Sequence, residues 1–396
     1  MLRDYLEAAG VECELYARVP ERANFVARIR GTGDRPSLAL LSHTDVVRAD
    51  KTAWQRDPFG GELVDGEVWG RGALDMKGEV AASAVAMATL AREGWRGAGD
   101  LVFIAAADEE VGAGFGLEWL VEEHPDAVRT DFSVNEGGGE RVELGGRAVY
   151  ICSTAEKMSS PFLLRVFGRA GHASMPGIAD NALVKAASLV EKLGAYRPEP
   201  RLLPETTAMF AAFGNVPEAR DALEAARAIG PLAAELVEPL LSLTVSPTMA
   251  HASDTRNVIP ALAEITIDVR LLPGQTPDEA NTLLVEQLGP GDYELVNLEG
   301  RGGTRSALDG PLWDAVASFV AEEEPGALVV PTICAGFTDS HWVRDAFGTV
   351  AYGFFPSRMD PEVASRLIHS HDERVPVEDL DLGVRWLLHA ARTVCA

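Results

Sequence analysis

What most constrains this chain is a recurrence: short apolar runs that each stop at residues able to hold a cation. The first, Leu38 to Leu41, gives way to Ser42-His43-Thr44-Asp45. Polar side chains gathered where a buried strand ends mark the place where open α/β sheets hold ligands. In an extended chain residues i and i+2 point the same way, so the Asp45 carboxylate can lie beside the His43 imidazole and fix its tautomer and angle. A polar loop over Trp54 to Glu67 carries turn signals at Asp57-Pro58-Phe59-Gly60-Gly61 and Asp65-Gly66 and leads on to Asp75. Met76 to Ala91, small and apolar, reads as a helix, and a helix amino terminus helps keep a carboxylate such as Asp75 ionised.

The next run, Leu101 to Ala107, is apolar throughout and ends in Asp108-Glu109-Glu110-Val111-Gly112. Carboxylates crowded at a buried strand's mouth repel one another unless a cation or proton compensates. Adjacent side chains diverge, which lets one glutamate ligate a metal while its neighbour faces a bound water. Gly112, Gly114 and Gly116 are misplaced for a dinucleotide fingerprint, and the acidic residues would sit where pyrophosphate binds. Phe132 to Val134 then ends in Asn135-Glu136-Gly137. His43, Asp75, Glu109 or Glu110, and Glu136 thus recur at the ends of successive βα-type units. Together at one sheet edge they point to a metal site.

Composition narrows the alternatives. A chain of 396 residues suggests two or three domains, and 47% hydrophobic residues supply a sizeable core. A net charge of -25 argues against binding nucleic acid or an anionic membrane through the overall field. No apolar run approaches the ~18 residues of a membrane span, and Met1 to Leu15 has neither the basic nor the apolar region of a signal peptide, so the expected location is cytoplasmic. Cys13, Cys152, Cys334 and Cys395 lack CxxC spacing. They suggest free thiols rather than a disulfide framework or a thiolate zinc site, which leaves His, Asp and Glu to hold any metal.

Leu2 to Gly10 reads as the tail of an amphipathic helix, and Val11 to Ile29 alternates like paired strands, most clearly over Asn24 to Ile29. From about Pro161 the texture changes. Phe162 to Phe167 alternates as a strand and turns at Gly168 to Gly177, followed by a helix over Asn181 to Leu193. Ala208 to Leu241 is mostly helical, interrupted at Gly214 and Gly230-Pro231. Ala263 to Leu271 and Tyr293 to Leu298 read as strands, with a capping box at Thr276-Pro277-Asp278-Glu279 between them. This order predicts a small antiparallel sheet with helices on one face, inserted into the first domain. The tail returns to the first texture: a helix over Leu312 to Glu323, strands over Val329 to Ile333 and Thr349 to Phe355, and a helix over Val377 to Thr393. Before that last helix stands His369-Ser370-His371-Asp372-Glu373, and a histidine here completes a set that lacks its second nitrogen ligand.

With these residues in view, the chain resembles the co-catalytic zinc exopeptidases and amidohydrolases that include aminoacylase, carboxypeptidase G, acetylornithine deacetylase and succinyl-diaminopimelate desuccinylase. The matching motifs are SHTDVV (Ser42 to Val47), GRGALDMKG (Gly70 to Gly78), DEEVG (Asp108 to Gly112), NEG (Asn135 to Gly137), GHASMP (Gly171 to Pro176), NVIP (Asn257 to Pro260) and HSHDE (His369 to Glu373). The resemblance implies an α/β catalytic domain with a central mixed sheet between helices (1–157 and 301–396), and an inserted α+β, ferredoxin-like lid and dimerisation domain (158–300). It implies two zinc ions, with cobalt or manganese as possible substitutes, one taking His43, Asp75 and Glu136 and the other Asp75, Glu110 and His369. The spacing His-x-x-Asp-Glu selects His369 over His371.

The resemblance further implies Glu109 as general base, Asp45 orienting His43, and His172 donating to the oxyanion in the other subunit of a homodimer. Asn257, Arg270 and Thr338 would grip the substrate's carboxylate, a task suited to arginine's fork of donors; Arg270 could equally pair with a neighbouring acid. The implied substrates are N-acyl-amino acids or short peptides, cleaved at an amide bond. A non-catalytic relative clamping an amino-acid-like ligand is the alternative. The helical segment around Ala208 to Leu241 is most similar to the aminoacylase and carboxypeptidase S-like branch. Two departures stand out. The chain starts late relative to the family pattern, which would expose core surface. Gly336 to His341 reads GFTDSH where many relatives read GGTDAR, so substrate choice does not carry over at His341.

Overall fold

A computed structural model describes residues 1–33 and 36–396. Its larger sheet has nine strands in the order Glu12–Ala17, Ala23–Ile29, Leu101–Ala106, Leu38–His43, Phe132–Asn135, Val350–Gly353, Arg147–Glu156, Leu328–Cys334, with Arg141–Leu144 pairing Arg147–Glu156. The four strands Leu101–Ala106, Leu38–His43, Phe132–Asn135 and Val350–Gly353 run parallel, so their carboxyl ends open on one edge. The sheet is mixed, because Ala23–Ile29 and Arg147–Glu156 run against them.

The apolar runs are continuous because both faces of these strands are covered. Leu38 and Leu40 pack with Val80, Met87, Leu387 and Trp386, under the helices Lys77–Arg92, Pro311–Glu323 and Val377–Val394. Ala39 and Leu41 face the opposite way, onto Leu117, Leu120 and Val343 from the helices Leu117–Glu123 and Ser340–Phe347. The helix Lys77–Arg92 lies close behind the site because it is built of small residues. At Gly78 any side chain is excluded, since a Cβ would stand 2.5 Å from the Ala73 carbonyl.

The second sheet is antiparallel. Phe162–Phe167, Thr244–His251, Leu262–Leu271 and Tyr293–Asn297 are its long strands, the last pairing Phe162–Phe167, which pairs Leu262–Leu271, which pairs Thr244–His251. The helices Ala182–Ala195 and Pro277–Leu288 pack on one face of this sheet, giving a ferredoxin-like β-α-β-β-α-β unit. Thr276 caps the second helix, accepting from Glu279 N while Glu279 reaches back to Thr276 N.

The inserted segment is split in its packing. The helices Pro204–Ala212, Ala222–Ile229 and Pro231–Val237 leave the small sheet and cover the large one, where Met209, Phe210, Ala226 and Val237 meet Val142, Val149 and Val330. Their apolar faces are satisfied there because Arg141–Leu144 and Arg147–Glu156 present buried apolar side chains of their own. Sequence periodicity overlooks these two strands, a hairpin turning at Gly145-Gly146. It also overlooks Thr244–His251, whose Pro247 stands at a bulge and breaks the strand signal. No helix among the described residues is long and apolar enough to cross a membrane.

Candidate metal centre

His43 is the last residue of its strand and is fully buried, while Glu136 follows the neighbouring strand Phe132–Asn135 and Asp75 stands just before the helix Lys77–Arg92. From His43 Nε2, Asp75 Oδ1 lies at 3.1 Å and Glu136 Oε1 at 3.7 Å. Glu110 belongs to the tight turn Glu109–Val111 at the mouth of Leu101–Ala106. His369, half exposed after the helix Pro361–Leu367, sets its Nε2 2.9 Å from Asp75 Oδ2 and 3.2 Å from Glu110 Oε2. The result is two triads, His43/Asp75/Glu136 and Asp75/Glu110/His369, each with its ligand atoms within 4.8 Å of one another and with Asp75 in both.

Asp45 lies beside the His43 imidazole, as the i, i+2 spacing suggests, and it reaches the ring through both its backbone and its carboxylate. The nearest Asp45 atom to His43 Nδ1 is the backbone carbonyl, at 3.1 Å, with carboxylate Oδ1 at 3.5 Å. The carboxylate also accepts the amides of Glu109 and Glu110, each at 3.2 Å. Asp45 therefore orients the imidazole and pins the glutamate turn to it at once. Burial alone would raise the Asp45 carboxyl, but His43 and these two amides hold it below its ordinary range.

The electrostatics describe a centre short of positive charge. Burial works against a charged His43, yet Asp45, Asp75 and Glu136 raise its pKa well above that of ordinary histidine. Burial pushes Glu109 up to about 10, with Glu136 and Asp339 adding repulsion and His43 partly offsetting it. Glu110 is raised by burial and by Asp75 beside it, and its Oε1 is buried without a protein partner. Asp75, like Asp45, goes the other way: burial would raise it, but His43 and His369 hold it low. A dication among these oxygens removes the repulsion that protons otherwise relieve. The donor set, imidazole nitrogen with carboxylate oxygen and no thiolate, fits zinc, cobalt or manganese.

Several residues that hold the centre together are missed when the sequence is read alone. Glu373 is fully buried and accepts four donors: Arg71 Nη1 at 2.6 Å and the amides of Gly72, Leu74 and Asp75 at 3.0, 2.8 and 3.1 Å. Arg71 donates its other branch to Ser370 O at 2.6 Å. The loop of Asp75 and the loop of His369 are thereby clasped together. Glu79, on the first turn of the helix behind, is buried and raised well above its ordinary range, Glu136 adding to the effect of burial and His43 opposing it. Asp339, beside Thr338, is also buried, has an unpartnered Oδ2, and is pushed up to about 8. Its place directly after Thr338 in a loop following a strand is the one signal that could have found it.

The remaining candidates belong to neither triad. His172 sits exposed on the two-residue strand Gly171–His172, which pairs Val258–Ile259, and its Nδ1 contacts the Ser174 hydroxyl at 2.7 Å. Asn257 is exposed just before Val258–Ile259, its carbonyl accepting from Ala173 N. Arg270 lays its fork on Asp268, Nε and Nη2 at 2.9 and 3.1 Å, so here it pairs with the neighbouring acid. Thr338 is buried, its amide and hydroxyl held by Glu156 Oε2 at 2.9 and 3.2 Å.

His341 is buried rather than presented to a substrate. It packs between Phe337 and Trp342, and its Nδ1 donates to Thr338 O at 2.7 Å. Burial pushes the imidazole down to about 4, the Thr338 carbonyl and Asp345 opposing the shift and Arg344 and Arg301 adding to it. Its folded pKa lies below the unfolded value, so below about pH 6.5 the unfolded chain binds a proton the folded one refuses. His341 has no such effect above pH 6.5 and costs stability as pH falls toward 4, by up to about 3 kcal/mol. His341→Asn is expected to flatten that part of the profile, measured as denaturant midpoint against pH.

Residues 39–393 match the sequence pattern of Peptidase family M20/M25/M40. The chain belongs to that family. It is 28% identical over 400 residues to a succinyl-diaminopimelate desuccinylase of Rhodospirillum centenum, covering 96% of this chain and 87% of the relative. To aminoacylase-1 of Sus scrofa it is 29% identical over 384 residues, covering 94% and 84%. Its fold matches the crystal structure of an M20 family metallo-carboxypeptidase from Sulfolobus solfataricus with a TM-score of 0.72 at 17% identity, covering 99% of this chain and 93% of the other. The protein is thus an M20 family hydrolase.

Proposed function

We propose that this M20 protein is a two-metal amidohydrolase that cleaves the amide bond of an N-acyl-amino acid or short peptide. The observation that carries this reading is the pair of ligand triads sharing Asp75, with the Glu109 carboxylate in the same buried cluster. His43, Asp75 and Glu136 would hold one divalent ion, and Asp75, Glu110 and His369 the other, with zinc as the expected metal. Such ions, when bound, polarise a carbonyl and lower the pKa of a water toward neutrality. Glu109 takes the proton of the attacking water and delivers it to the leaving amine. Asp45 holds the His43 ring and the Glu109 turn in register through that step.

Arg270, Asn257 and Thr338 are assigned to the substrate carboxylate, which requires the Arg270 fork to exchange Asp268 for the ligand. The names of the relatives support this substrate class: a desuccinylase and an aminoacylase both imply an acyl group on an amino acid. The inserted unit is read as lid and dimer surface, with His172 donating to the oxyanion of a neighbouring copy. The strand Thr244–His251, bonded on one side to Leu262–Leu271 and exposing Met249, supports that assignment.

The test is amine release from a panel of N-acyl-amino acids and dipeptides, with protein reconstituted with zinc and the same protein stripped by chelator. Release by the zinc-loaded sample, lost on chelation and regained with zinc, cobalt or manganese, is the expected result. Release that survives chelation would remove the metal from the reaction, and two bound ions without any release would favour a ligand-clamping protein.

A further inference from the structure

The segment returning from the inserted sheet to the large one is bonded to both loops that the proposed chemistry uses. Its first residues, Arg301–Gly302, form a short strand on Met158–Ser159, which in turn pairs the end of Leu262–Leu271. Arg270, Ser159 and Arg301 stand side by side across these three strands. Out of this row the Arg301 guanidinium crosses to the catalytic side, where Nη1 donates to the Gly112 carbonyl at 2.7 Å. Gly112 closes the Glu109 turn, its own amide bonding to Glu109 O at 3.0 Å. Farther along, the Thr304 hydroxyl donates to Glu156 Oε1 at 2.8 Å, the carboxylate that also holds Thr338.

The turn has room for this contact because residue 112 is glycine. Gly112 has a φ of +104°, and a Cβ there would lie 2.2 Å from Arg301 Nη1. Glycine alone satisfies both the backbone and the approaching guanidinium. Arg301 has a carboxylate within ion-pair reach only at its margin, Glu299 at 3.7 Å, so the carbonyl is its closest polar partner among the described residues. A charged donor on a carbonyl is stronger than a neutral one.

We propose that Arg301 is a positioning residue for Glu109, coupling the placement of the inserted unit to the turn that carries the base. This rests on Glu109 being the base. Arg301 moves with the inserted unit, because its strand is part of that unit's ladder. The Glu109 turn is then held at two points, by Asp45 on the amides of Glu109 and Glu110 and by Arg301 on the carbonyl of Gly112. Asp45 follows the strand Leu38–His43 of the large sheet, whereas Arg301 sits on the ladder of the inserted unit.

The experiment uses full-length protein loaded with zinc, comparing wild type with R301A and R301K. It reads kcat and KM separately, zinc content, and hydrogen exchange of the amides from Glu109 to Ala113. R301A is expected to lower kcat by about 10- to 100-fold, the scale of a small misplacement of a catalytic group, with KM and zinc content within about twofold of wild type. Exchange across the turn should accelerate in R301A. R301K should recover part of both effects, since its ammonium can still donate to Gly112 O. Wild-type exchange and wild-type kcat in R301A would overturn the proposal, as would a fall in zinc content that accounts for the lost rate. If R301A does not fold, R301M, which keeps an unbranched apolar stem, is read the same way. Hydrogen exchange needs no substrate, so it decides the Arg301 contact even if no amide in the panel is hydrolysed, an outcome that would count against the reaction assigned above instead.

Discussion

Replacing Glu109 with glutamine is expected to leave a folded, metal-loaded protein whose turnover is about 10²- to 10⁴-fold lower, the usual share of a general base. Glutamine keeps the size and an acceptor oxygen but cannot carry the proton from water to amine. The metal ligands are untouched, so zinc content should equal that of wild type. The metal-free protein gives a second, independent expectation. There Glu109 is pushed up to about 10 by burial and by Glu136 and Asp339, so at neutral pH it is already an uncharged acid. Exchanging one neutral buried group for another of the same shape should leave apoprotein stability close to wild type. On the reaction proposed above, deprotonation of Glu109 would depend on bound cations, and the ions that would acidify a water would also make the base available. The measurement is kcat of zinc-loaded E109Q on whichever panel member wild type cleaves, beside zinc content and apoprotein melting. Turnover within a few-fold of wild type would remove Glu109 from the proton transfer.

How much of this was legible in the sequence depends on whether a residue acts through its own segment or through a distant one. His43, the Glu109-Glu110 pair and Glu136 were readable because each ends or follows an apolar run, and parallel strands deliver such ends to one edge, whereas Asp75 was marked by its place just before a helix. Glu373 was visible only as a letter in HSHDE. Its role comes from the amides of residues 72 to 75, about three hundred positions away, and no local pattern encodes that meeting. Arg270 shows an intermediate case. Alternation revealed its strand, and Asp268 two positions earlier shares its face, so the ion pair was foreseeable from period two alone. The helices between Pro204 and Val237 show the reverse. Their amphipathic character was plain, but chain order placed them with the small sheet, whereas the apolar surface that accepts them belongs to Arg141–Leu144 and Arg147–Glu156. Those strands went unread, so the surface they offer was invisible too.

Truncating Glu373 to alanine is expected to be the most destabilising single change near the centre, by about 3–5 kcal/mol, the cost of breaking a buried ion pair from one side. Arg71 and Glu373 are both almost wholly buried, and Arg71 also lies over the Trp54 ring at 5.2 Å from its centroid. Alanine leaves that guanidinium charged with the Ser370 carbonyl as its remaining hydrogen-bond acceptor. It also strands the amides of Gly72, Leu74 and Asp75, each an unsatisfied donor worth about 1–3 kcal/mol if water cannot replace the carboxylate. Those amides belong to the loop that ends in Asp75, the residue common to both triads, so the loss should reach the metal. Zinc affinity is expected to fall by about 10- to 100-fold, the range for removing a partner that orients ligands. Glu373→Gln should be milder, because one carboxamide oxygen can still accept while the negative charge is gone. The double variant R71M/E373M separates the two effects. Removing both charges relieves the stranded guanidinium and should restore part of the stability, but the three amides stay without an acceptor, so zinc affinity should remain low. Denaturant midpoints together with zinc titration against a competing chelator make the measurement. If zinc affinity returned with stability in the double variant, the clasp would act on the fold alone, and the placement of Asp75 would have to come from its own helix.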